Sequence, residues 1–106
     1  MAFPRLTQQQ RIEKRRNIDR EQQKRARQRL RNFIISVKLL YGCARCPEMH
    51  PACLHFHHKD PSTKLFAIQR GITQKVRFFI LLEEIAKCIL LCANCHAKEH
   101  YDSRTE

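Results

Sequence analysis

The segment LHFHHKD at residues 54–60 places three histidines within four positions, and CANCHAKEH at 92–100 adds two more. His96 and His100 stand four apart on an expected C-terminal helix, so both imidazoles leave one face and can reach a common ion. His57 can complete the set. Three neutral imidazoles with positions left open for water and a phosphate oxygen describe a catalytic site, because a closed structural site would leave no room for substrate. His58 follows in the same strand-like stretch and points to the other side of the pleat. It is a poor co-ligand and a better candidate for a base acting on water beside the metal. His50 and His55 are read as ordinary surface or hydrogen-bonded side chains.

The cysteines carry a second chemistry. Cys43 and Cys46 form one CxxC, Cys92 and Cys95 another, with 45 residues between the pairs. Each CxxC turn presents two sulfurs to one tetrahedral zinc, so the four together are expected to hold a structural Zn²⁺. Cys53 and Cys88 remain, and suit small buried apolar positions, with a ligand swap involving Cys53 left open. A redox role for either CxxC would require a strand-to-helix setting in a longer alternating fold.

Something must hold these groups in place. A chain of 106 residues, 42% hydrophobic, can build one small domain whose core alone gives little stability to spare. MAFPRLTQQQ lacks the apolar stretch of a signal peptide, and no segment approaches the length of a membrane span. The expectation is a reducing, cytoplasmic setting with no membrane partner, in which thiolates meet metal sooner than one another.

Charge divides the chain. Residues 1–41 carry twelve Lys/Arg against three Asp/Glu, whereas 42–106 carry nine against seven. Thr7 and Gln10 form a capping-box pattern, and no Pro or Gly interrupts the run to Tyr41, so 1–41 reads as a basic, largely helical arm ended by Gly42. Its second half shows an apolar stripe at Leu30, Phe33, Ile34, Val37, Leu40 and Tyr41; its first half should project into solvent or along a partner. Arg11, Lys14, Arg15, Arg16, Arg20, Lys24, Arg25, Arg27, Arg29 and Arg31 are the candidate contacts to a polyanion, since neutralising phosphates releases condensed counterions.

Beyond Gly42 the reading is of an α+β domain over 42–101 and a flexible tail at 102–106. LHFHH is expected as a strand, KDPST as a turn and KLFAIQ as the returning strand of a hairpin. TQKVRFFILLEEIAK reads as a helix whose apolar face includes Val76, Phe79 and Ile80, CILLC as a buried segment, and ANCHAKEHY as the last helix, with DSRTE fraying.

Taken together, CARC, LHFHHKDP, EIAKCILLCANCH and the trailing His100 closely resemble the zinc-knuckle branch of the HNH endonucleases, small nucleases of phages, mobile elements and bacterial genomes. The likeness spans Cys43 to His100, 58 of 106 residues. It implies a ββα-metal (His-Me finger) fold, in which a β-hairpin and a helix grip one divalent ion. Residue by residue, it implies that His57, His96 and His100 ligate a catalytic Mg²⁺, Mn²⁺, Ni²⁺ or Zn²⁺, that His58 is the general base, and that the four CxxC cysteines hold zinc. Asp60 matches the HHxDP signature and shapes the turn. Two departures stand out: Lys87 occupies the place of the family's loop-orienting asparagine, Asn94 lying inside the knuckle instead, and His55 replaces a residue often acidic in relatives.

The implied activity is hydrolysis of phosphodiester bonds in double-stranded DNA, giving 5′-phosphate and 3′-hydroxyl ends. One such site cleaves one strand, so cutting both requires a homodimer or successive nicks. Two other classes fit the same residues: a non-cleaving zinc-stabilised DNA-binding module, and an accessory subunit of a larger nucleoprotein assembly.

Overall fold

The computed structural model describes residues 4–105; the first three residues of the arm and the last of the tail lie outside them. The protein is a mixed α+β chain with a long N-terminal helix and a two-stranded antiparallel sheet.

Helix α1 runs from Gln8 to Tyr41. Its start is fixed by the capping box: Thr7 Oγ1 accepts from the Gln10 amide at 3.1 Å, and Gln10 Oε1 accepts from the Thr7 amide at 2.9 Å. Its end is fixed by Gly42, whose φ of 65° is a left-handed conformation natural to glycine and whose amide donates to the Lys38 carbonyl. A side chain at Gly42 would also press on Met49 and the Glu48 carbonyl. Leu30 and Ile34 are buried and Phe33 and Val37 half-buried, whereas Leu40 and Tyr41, the last of the expected stripe, stand exposed. Residues 4–25 are exposed throughout. The radius of gyration is 19.9 Å, against about 13 Å for a compact domain of this size, because half of α1 leaves the body.

Strand β1, Leu54–His58, pairs with β2, Cys88–Cys92, in a register that sets Leu54 opposite Cys92 and His58 opposite Cys88. KLFAIQ is therefore not the returning strand. Its place is taken by CILLC, while Ile68–Thr73 forms a short helix, α2, that buries Ile68 and Ile72, one turn apart, against α1. The long expected helix is also shorter. Lys75, with φ 53°, breaks the chain after α2, and α3 spans only Phe78–Ile85. Its buried residues are Leu81 and Glu84, while Phe79 is exposed and Val76 packs on the core from the preceding turn. Helix α4, Ala93–Thr105, continues past Tyr101 through DSRT, a stretch whose place at the chain end predicts fraying.

Two apolar clusters result. Leu30, Ile34, Ile68, Ile72 and Leu81 form the larger; Leu54, Leu90 and Cys92 form the smaller beside the knuckle cysteines, and Phe56 touches both. Among the described residues no helix is long and apolar enough to cross a membrane.

Candidate metal centre

Alternation along the two strands sorts the chemistry onto two faces. Leu54, Phe56 and His58 share one face with Cys88, Leu90 and Cys92; His55 and His57 share the other with Ile89 and the fully buried Leu91. On this second face α4 supplies His96 and His100.

At the Leu54/Cys92 end of the sheet the sulfurs of Cys43, Cys46, Cys92 and Cys95 lie within 4.8 Å of one another, and could hold a structural metal such as zinc. Zinc–sulfur bonds of about 2.3 Å in a tetrahedron put sulfurs roughly 3.8 Å apart, and Cys46 Sγ and Cys92 Sγ lie at 3.5 Å. Amides aim at the same sulfurs: Cys92 N donates to Cys43 Sγ at 3.2 Å and Cys95 N to Cys92 Sγ at 3.4 Å. Burial pushes the Cys43 thiol up, but the Arg45, Cys92 and Cys46 amides outweigh it and bring it down to about 6. Cys95 is pushed up to about 12, first by its hydrogen bond to the Cys92 sulfur, then by burial and by the neighbouring Cys43 and Cys46 sulfurs. Four sulfurs competing for protons in this way suit one shared cation, which replaces those protons on binding. Cys53 and Cys88 stand outside the group.

The second group is His57, His96 and His100, whose ring nitrogens also lie within 4.8 Å of one another. His96 Nε2 and His100 Nε2 are 2.9 Å apart, and the His57 ring meets both edge-on with centroids 5.1 and 5.3 Å away. An ion held by nitrogen at about 2.0–2.1 Å needs such convergence. Burial first, then the neighbouring His100, lowers the pKa of His57 and of His96, favouring the neutral imidazole that a metal requires. The donor set thus fits a divalent ion. His55 is stacked on His96 at 5.8 Å, so a histidine read as an ordinary surface group stands at the edge of the cluster. Arg45 in the first CxxC pairs with Glu99, one residue before His100, tying the cysteine group to the histidine helix. His50 instead caps the turn Pro51–Cys53, its Nδ1 accepting from the Ala52 amide.

His58 lies on the opposite face from the triad, 8% exposed, with Nε2 2.8 Å from Oε1 of Glu84. Glu84 is 1% exposed and accepts also from the Leu65 amide at 3.0 Å and from Lys87 Nζ at 2.9 Å. Burial opposes its ionisation, yet these donors outweigh burial and hold its carboxyl at about 2. Lys87 donates in addition to the Thr63 carbonyl at 2.9 Å. Asp60 shapes this loop, its Oδ1 accepting from the Ser62 amide and hydroxyl. Glu84 has no signal in the sequence beyond being the second acid of an EE pair in an amphipathic segment, a pattern that reads as solvent-facing.

Of the ten basic candidates on α1, nine are exposed and Arg27 is half-buried. Glu21 pairs with Arg25 at 3.4 Å, a surface ion pair of little energetic weight. Compared with protein-family models, curated proteins and solved structures, the chain matches none.

Proposed function

We propose that the protein is a metal-dependent endonuclease of the HNH type, hydrolysing DNA phosphodiester bonds at the His57/His96/His100 group. The observation that carries this reading is the convergence of those three imidazoles, from β1 and α4, beside a four-cysteine group that braces the same helix. An antiparallel strand pair followed directly by the ligand-bearing helix also supports a ββα-metal assignment.

A divalent ion at the triad supplies Lewis-acid stabilisation of charge developing on the phosphate oxygens. Imidazole-only donors favour Ni²⁺ or Zn²⁺ over Mg²⁺, with Mn²⁺ between. His58 accepts a proton from water as its oxygen bonds to phosphorus; the bond to the 3′ oxygen breaks, and solvent protonates that oxygen. The products are a 5′-phosphate and a 3′-hydroxyl. The exposed arginines and lysines of α1 bind along the duplex backbone and supply sequence-independent affinity.

One observation favours a second reading. His58 is buried with one nitrogen already engaged, as expected of a histidine that serves structure in a non-cleaving DNA-binding module or accessory subunit. Supercoiled plasmid incubated with wild type and His58→Ala under Mg²⁺, Mn²⁺, Ni²⁺, Zn²⁺ or EDTA decides between them. Cleavage by wild type alone, abolished by EDTA, is the expected result; a folded, metal-loaded wild type that never cuts refutes the nuclease.

A further inference from the structure

Glu84 is the most deeply buried ionisable group among the described residues, and it takes no part in the hydrolytic step itself. Its carboxylate gathers three separate parts of the chain: the end of β1 through His58, the loop after it through the Leu65 amide, and the turn before β2 through Lys87. Lys87 then reaches on to the Thr63 carbonyl, so the loop is held at two points by one small network. A carboxylate receiving donors from Lys87 and a backbone amide can only accept, which requires His58 to present Nε2 as an N–H. The lone pair of the neutral ring is then on Nδ1. Among the described residues no buried polar side-chain atom lacks a partner, and Nε2 is the His58 nitrogen that Glu84 holds. Nδ1 is then the ring nitrogen that Glu84 leaves to accept a proton.

We propose that Glu84 is the positioning residue for His58, fixing the Nε2–H tautomer so that the lone pair stands on Nδ1, with Lys87 locking both Glu84 and the loop at Thr63. This rests on His58 being the base. The arrangement follows the general logic by which a buried carboxylate orients an imidazole and stabilises its protonated form.

The test joins a spectroscopic readout to a kinetic one. ¹⁵N-labelled full-length protein at pH 8, with His58 resonances assigned by difference against His58→Ala, should show Nε2 protonated and Nδ1 bare. Glu84→Gln should weaken that bias and lower kcat by about 10²-fold, the scale of a lost general base, with DNA affinity and metal content unchanged. Lys87→Met, a milder change that leaves the His58–Glu84 hydrogen bond in place, should lower kcat less. A wild-type Nδ1–H tautomer overturns the proposal whatever the protein cleaves. So does wild-type kcat in Glu84→Gln when His58→Ala is dead. The expected tautomer in a protein that cuts no DNA with any metal overturns the nuclease reading instead, and the positioning role with it, leaving His58–Glu84 as a structural pair.

Discussion

The histidines differ in what each can hold, and the difference is measurable. His96 converges with His57 and His100, whereas His55 stacks on His96 without joining the group. His96→Ala should therefore lose about one equivalent of bound divalent metal while the cysteine-bound ion stays, and His55→Ala should lose none; metal analysis of the purified variants checks both. Glu84 gives a pH signature. Its carboxyl titrates near 4.5 in an unfolded chain and at about 2 when folded, so the stability it contributes is complete above 4.5 and is lost as pH falls toward 2. Urea midpoints of wild type and Glu84→Gln should differ at pH 6 and draw together as the pH falls through 4 to 3. At this scale the CxxC pairs and the 57/96/100 spacing are legible in the sequence, because metal ligation imposes fixed residue types at fixed offsets. Glu84 is not, since its role is set by what reaches it from β1 and from the loop that follows.

Among the elements, local rules serve where both partners lie close in sequence. Thr7 with Gln10 and Gly42 mark the ends of α1 because a capping box and a left-handed glycine need only a few neighbouring residues. The partner of β1 is a different matter. KLFAIQ and CILLC are both short and apolar, and local composition does not rank them; the structure selects CILLC because Ile68 and Ile72 are consumed by the core around Leu30 and Ile34. The apolar face of α3 departs from the expected one for a related reason. Lys75 resets the chain, and the face turned inward carries Leu81. Leu81→Ala should cost about 2–5 kcal/mol, and Phe79→Ala, at 55% exposure, about 0.5 kcal/mol or less, both read by urea denaturation.

For the whole molecule, the division between body and arm has consequences for binding. The body contributes the two candidate metal groups and α1 contributes an exposed basic rod, so affinity and chemistry should separate. Replacing Arg11, Lys14 and Arg15 with Gln should weaken DNA binding and make its salt dependence shallower by about 0.9 in the log–log slope for each phosphate no longer neutralised. Fluorescence anisotropy across a salt series gives that slope, and an unchanged slope would remove the arm from the interface. Stability should be untouched, because these residues lie outside both apolar clusters.

Helix α1 enters the core and leaves it without a break, so its free half is not a tether but a stiff beam. From Gln8 to Arg29 a helix rising 1.5 Å per residue extends about 33 Å, close to one turn of duplex DNA. A beam of that length, clamped at Leu30 and Ile34, works as a ruler: laid along a duplex, it would protect about ten base pairs on one side of the cut and none of that extent on the other. The footprint would be lopsided, and shortening the beam by whole helical turns would draw its far edge toward the cut in steps of about 5.4 Å.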